Sequence, residues 1–191
     1  MKNYKCLKHK IYVDAEFQLL PIRDEDKLVI LKMRNEQLYH LRQEKPLTVE
    51  MQDFYFKSVI GKLFDQEKPE QILFSFLENN CFIGYGGLVH INWIDRHAEI
   101  SFIMRTELEK DKFSCYWSRF IKLLEKVGFE DLKFHKLFTY AFDLRPHLYP
   151  VLENMGFFED ARLKEHCLFQ GRYIDVVINS KINGDVEVSE S

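Results

Sequence analysis

From Phe113 to Val127 the apolar side chains Phe113, Tyr116, Trp117, Phe120, Ile121, Leu124 and Val127 fall on one helical face, and Ser118, Arg119, Lys122, Glu125 and Lys126 fall on the other. A stripe that wide must be buried, and it reads as core rather than as a cofactor-contacting strip. The residues before it supply the surface. Gln71 to Leu77, Phe82 to Trp93 and His97 to Met104 are β-rich runs separated only by the turn formers Glu78-Asn79-Asn80 and Asp95-Arg96. Short turns of that kind favour an antiparallel meander, so the chain is expected to lay a long helix across one.

The flanks extend the pattern. Phe17 to Arg23 reads as a strand, Asp24 stands where it can cap a helix carrying Leu28, Ile30, Leu31 and Met33, and Thr48 opens a second helix with Met51, Phe54, Tyr55, Val59 and Leu63. After the long helix come a strand from Lys136 to Phe142 and a short helix opened by Pro146 and closed by Gly156. Two further strands, Phe157 to Phe169 and Arg172 to Ser180, meet at Gln170-Gly171. The order β-α-α-β-β-β-α-β-α-β-β predicts an α/β (mixed α+β) fold: a central mixed, mostly antiparallel twisted sheet of about seven strands flanked by about four helices. A chain of 191 residues suits one domain, here residues 1 to 182, and the polar, acidic tail from Asn183 to Ser191 is expected to be disordered.

Composition narrows the function classes. The formal net charge of -3 gives no global basic field for a nucleic acid. No run approaches the roughly 20 apolar residues of a membrane span, and Met1 to Lys10 is basic without an apolar core, so a cytoplasmic protein with no membrane partner is expected. Cys6, Cys81, Cys115 and Cys167 are widely spaced with no CxxC pair, which predicts buried reduced thiols and no metal site. Gly84, Gly86 and Gly87 lie inside a strand run and open no helix, so they mark a bulge or a close backbone approach rather than a dinucleotide loop. His97-Ala98-Glu99 matches the H-x-E of zinc deaminases, yet no P-C-x-x-C follows.

Six strings, in order along the chain, carry a resemblance: Phe17-Gln18-Leu19-Leu20-Pro21-Ile22-Arg23, Met33-Arg34-Asn35, Ile83-Gly84-Tyr85-Gly86-Gly87-Leu88, Ala98-Glu99-Ile100-Ser101-Phe102-Ile103, Phe129-Glu130-Asp131-Leu132, and Leu152-Glu153-Asn154-Met155-Gly156-Phe157. Together they resemble the GNAT superfamily of N-acetyltransferases, and most of all its ribosomal-protein N-terminal and amino-sugar acetyltransferase subgroup. One departure stands out. Where the family carries Q/R-x-x-G-x-G/A at the start of the long helix, this chain has Lys110 at the first position and Phe113 and Cys115 in place of the glycines.

The resemblance implies acetyl-CoA as co-substrate and a primary amine as acceptor, with no metal. Its first implied acceptor is a small-molecule amine such as a nucleotide-linked amino sugar, and its second is a protein N-terminus. A degenerate domain that binds a ligand or partner without catalysis is the alternative that the missing glycines motivate. Glu99 matches the position of the catalytic base, with pairing to Arg96 or Arg105 as its structural reading, and Tyr149 stands where a phenol protonates the leaving thiolate or else packs against the sheet. Cofactor contacts are expected from Phe102, Ile103 and Met104, from Lys110, Lys112, Phe113, Ser114 and Cys115 at the helix start, and from Arg145. Acceptor contacts are expected among Arg34, Asn35, His40, Arg42 and His97, His97 sharing a strand face with Glu99. The resemblance leaves room for a homodimer.

Overall fold

The computed structural model describes residues 2–41 and 43–184. Its strands are β1 (Tyr12–Asp14), β2 (Phe17–Pro21), β3 (Ile72–Glu78), β4 (Cys81–Asn92), β5 (His97–Met104), β6 (Lys136–Phe142), β7 (Phe158–Phe169) and β8 (Arg172–Ile182). They form one eight-stranded sheet in the order β1-β2-β3-β4-β5-β6-β8-β7. The helices are α1 (Lys27–Glu36), α2 (Val49–Tyr55), α3 (Gly61–Leu63), α4 (Glu109–Glu125) and α5 (Tyr149–Asn154), with α2 running into α3 through a π-helical turn. The mixed, mostly antiparallel architecture is as expected, with one strand more. Tyr12–Asp14 pairs antiparallel with residues 17–19 of β2 around Ala15, which takes a positive φ of 53°, and three residues are too few to show an alternation in the sequence.

The meander follows from its turns. Asn79 and Asn80 (φ 47° and 64°) join β3 to β4, and Gln170 and Gly171 (φ 47° and 79°) join β7 to β8, the left-handed pairs that tight hairpins require. Thr48 caps α2 by accepting the Met51 N–H at 3.3 Å, and Gly156 (φ 79°) ends α5. Asp24 does not cap α1. A 3-10 turn from Asp24 to Asp26 precedes the helix with no side-chain cap. The nearby carboxylate of Asp26 is drawn instead into a buried cluster with the Arg23 guanidinium (2.7 Å) and the Ser75 hydroxyl (2.6 Å).

Strand alternation sorts the core onto two faces. Phe74, Phe76 and Phe102 face α4, where Phe102 stacks on Phe120 with ring centroids 4.1 Å apart. Ser75, Tyr85 and Glu99 face the layer of α1 and α2. Every residue of the apolar stripe from Phe113 to Val127 is buried. The cysteines do not meet the expectation of burial: Cys81 and Cys115 are exposed and Cys6 and Cys167 half-buried, Cys6 packing against the edge of the core. Asn183, placed by its polarity in the tail, is tied to the body through its N–H to the His135 carbonyl at 2.8 Å. Residues 185–191 of that tail lie outside the described residues.

Candidate functional site

The parallel pair β5 and β6 is joined at only three register positions, His97 with Lys136, Ala98 with Leu137 and Glu99 with Phe138. Beyond Glu99 the two strands part, and the gap opens into a cavity of about 350 Å³ whose walls include residues of β4, β5, β6, α1 and α4. The Arg105 N–H bonds the Ile83 carbonyl at 2.9 Å. Counting back along the antiparallel ladder, Ile103, Ser101 and Glu99 turn their backbone groups to β4. Ile100, Phe102 and Met104 therefore turn theirs toward the gap. A strand with amides directed into a cleft is a natural docking edge for an extended amide-containing ligand.

Glu99 is the one carboxylate among the described residues lining this cavity. It is 5 % exposed, and its Oε2 lies 2.7 Å from Nδ1 of His90. Arg105, one of its expected structural partners, binds Glu107 at 2.6 Å. His90 escaped the sequence reading because a regular strand would point it to the opposite face from Val89, the register partner of Glu99. A bulge between Val89 and Asn92, with His90 at φ 47°, inserts a residue and swings the imidazole round. The close approach of β3, β4 and β5 that aims these groups depends on glycine: a Cβ on Gly86 would sit 2.0 Å from the Ser101 carbonyl oxygen and one on Gly87 1.9 Å from that of Ile72.

The other expected site residues divide between the cavity and its surroundings. Arg34 and His40 line it, together with Phe102, Ile103 and Arg145. Arg34 donates to Gln43 Oε1 from Nε (3.0 Å) and Nη2 (2.8 Å) and to the Tyr85 hydroxyl from Nη1 (3.2 Å). His40 donates from Nε2 to Gln37 Oε1 at 3.1 Å, because the Gln37 amide is committed to the Met104 carbonyl. Burial, with the Arg145 charge beside it, depresses the His40 pKa to about 3. Asn35 does not reach the cavity; it clamps the following loop by bonding the Leu47 N–H (2.8 Å) and carbonyl (2.9 Å). His97 packs edge-on against Phe138, off the cavity wall. Arg42 lies outside the described residues.

Tyr149 stands off the cavity wall. Its hydroxyl donates to Asp143 Oδ1 at 2.6 Å, and burial together with that carboxylate raises the phenol's pKa. Met104 is buried, and Lys110, Lys112, Ser114 and Cys115 are exposed along the start of α4. There the absence of glycine has a visible consequence. A 3-10 turn from Thr106 to Leu108 leads into the helix, with the Leu108 N–H bonded to the Arg105 carbonyl and the Glu109 N–H to that of Thr106. These two N–H groups at the helix entrance are used internally and are not open to a pyrophosphate. Phe113 is buried, its ring against His147 (4.3 Å between centroids) and under the Arg145 guanidinium (5.7 Å), which also reaches Glu109 at 3.4 Å. Tyr55, Gln71, Tyr85, Ser101, Thr139 and Tyr140 complete the polar lining. Nothing in their local sequence distinguishes them from ordinary strand and helix residues.

Residues 20–178 match the family described as Acetyltransferase (GNAT) domain. The chain belongs to that family. Members of this family use acetyl-CoA as acetyl donor. A spermidine N(1)-acetyltransferase of Vibrio cholerae is 31% identical over 94 residues, which are 49% of this chain and 53% of that protein. The match thus spans about half the length of that relative. Among solved structures, a spermidine N-acetyltransferase from Vibrio cholerae in complex with CoA and spermine superposes with a TM-score of 0.76 at 21% identity, over 89% of this chain and 97% of that one. A dodecameric structure of spermidine N-acetyltransferase from the same organism gives 0.72 at 21% identity, over 89% and 95%. At this identity the likeness to the solved structures is one of fold.

Proposed function

We propose that this GNAT acetyltransferase domain moves an acetyl group from acetyl-CoA to a primary amine of a small molecule, with Glu99 as the base. The observation that carries the reading is a buried carboxylate, hydrogen-bonded to a half-exposed histidine, beside the gap between β5 and β6. The residues fit the donor in part. The inward-directed amides of Phe102 and Met104 suit its amide-rich arm, and Lys110, Lys112 and Arg145 are the cations available to its phosphates, in place of a glycine loop. Acetyl-CoA, when bound, supplies the thioester carbonyl that the amine attacks.

The chain's own part begins with the acceptor. Glu99 accepts a proton from the ammonium, leaving the lone pair free, and His90, whose side chain is 63% exposed, passes that proton to solvent. The Phe102 N–H stabilises charge that develops on the carbonyl oxygen, which leaves the Phe102 carbonyl and the Met104 N–H to the arm. The names of the relatives speak of spermidine and spermine, and the comparisons lend no support to an amino-sugar acceptor, so polyamines belong in any first acceptor panel.

The used-up donors at the start of α4 favour a second reading, a domain of this family that binds a ligand without catalysis. Calorimetric titration with acetyl-CoA, followed by thiol release with an amine panel, separates the two. Micromolar binding with turnover supports the enzyme. No binding at millimolar acetyl-CoA would overturn it and leave the binding domain.

A further inference from the structure

The cavity wall carries a guanidinium that no carboxylate among the described residues is seen to pair with. Arg34 lies part-buried on its wall, and every hydrogen bond it makes among the described residues goes to a neutral oxygen, that of Gln43 or of Tyr85. A guanidinium held on a cavity wall by neutral partners keeps its charge and its planar fork of donors for an anion brought in from outside. The side chain is also fixed in place. Gln43, which grips Nε and Nη2 together, is itself bonded to the Lys45 carbonyl at 3.0 Å and to Asn35 Oδ1 at 3.4 Å.

Of the five guanidinium N–H groups, three are used in these bonds, which leaves one on Nη1 and one on Nη2. The Tyr85 hydroxyl accepts from Arg34, so its own proton is available to a further acceptor. Tyr55, which exchanges hydrogen bonds with Gln71, lines the same wall. These donors are preorganised and share a cavity with Glu99. A polyamine would meet one carboxylate, already hydrogen-bonded to His90, and the guanidinium of Arg34, while Arg145 on the same wall is paired with Glu109.

We infer that the acceptor carries an anionic group, a phosphate or carboxylate, which Arg34 and Tyr85 bind while its amine is presented to Glu99. This rests on the cavity being the acceptor site of the proposed acetyl transfer, and it names the class of molecule that site takes.

The test uses matched amines, glucosamine 6-phosphate with glucosamine and phosphoethanolamine with ethanolamine, together with spermidine. Each is titrated calorimetrically into the full chain saturated with desulfo-CoA, and acetyl transfer is followed separately by thiol release. At least one phosphorylated amine is expected to bind tenfold or more tightly than its neutral parent and than spermidine. Arg34→Gln should reduce that preference to about threefold or less, with Arg34→Lys retaining part of it. Tyr85→Phe, which keeps the charge, provides a second variant should Arg34→Gln not fold, and should reduce the preference partially. Equal affinity for the charged and neutral partners, or tighter binding of spermidine, overturns the inference, as does a preference that survives Arg34→Gln. Arg34-dependent anion binding with no acetyl transfer to any amine would instead leave the inference standing and sink the proposed reaction.

Discussion

Glu99 and His90 meet at 2.7 Å across β4 and β5 only because one residue of β4 is extra. Without the bulge between Val89 and Asn92 the imidazole would lie on the α4 side of the sheet, away from the carboxylate. With it, a 7% exposed carboxylate side chain is joined to one that is 63% exposed. Glu99→Gln keeps the shape and removes the basicity, so kcat is expected to fall about 10²–10⁴-fold while acetyl-CoA affinity stays within about threefold. His90→Ala should cost less, and added imidazole should restore part of the rate. Steady-state kinetics of both variants check this, and a Glu99→Gln enzyme with undiminished kcat would remove Glu99 as the base.

Tyr149 offers a contrasting case. Its phenol is bonded to Asp143, which also holds Arg162 at 2.6 Å, so the group belongs to a surface network beside α5. Tyr149→Phe is expected to leave kcat within about threefold and to lower stability by about 1 kcal/mol, the usual worth of such a hydrogen bond. A hundredfold fall in kcat would show instead that the phenol reaches the leaving thiolate once substrates bind.

His40 sets an acid limit on the fold. Its pKa is depressed to about 3 by burial and by Arg145, against about 6.5 in the unfolded chain. Above pH 6.5 the imidazole is neutral in both states and contributes nothing to the pH dependence. Between 6.5 and about 3 only the unfolded chain takes up the proton, so stability falls as the pH falls, by about 2 kcal/mol at pH 5. Urea unfolding of the wild type and of His40→Gln at pH 7 and pH 5 should show the variant losing less between the two values. Equal losses would show that His40 is protonated in the folded state.

Gly86→Ala should be destabilising by about 1–3 kcal/mol or more, since a Cβ 2.0 Å from the Ser101 oxygen forces β4 and β5 apart. The strand that moves carries Phe102, so acetyl-CoA affinity is expected to fall with stability. A urea midpoint unchanged from wild type would mean the strands yield without cost.

The fold was legible because its signals are local: the stripe on α4, the turn residues Asn79-Asn80 and Gln170-Gly171, the cap at Thr48 and the closing glycine at Gly156. Of the expected site residues, Glu99, Phe102 and Ile103 reach the cavity from a regular strand, and Arg34, His40 and Arg145 reach it from the helix and turns around it. His90 needed a bulge that leaves no mark in composition, and His97, placed on the face of Glu99 by simple alternation, is taken up by Phe138. Asn35 looked like an acceptor contact because the string around it resembles a family signature. Its work is to hold the Leu47 backbone, a partner twelve positions away that no periodicity reveals.

The seam of three paired positions between β5 and β6 also bears on how the chain comes together. Strands β2 to β5 and β6 to β8 each zip largely through their own hairpins, and the two leaves share little backbone pairing. What couples them is side-chain packing across α4, whose rings grip Phe102 on one leaf while the turn after it sets Gly128 against Leu137 on the other. Amide exchange should therefore report two protected blocks with a weak line between them, and the weak line is where the substrates are proposed to enter.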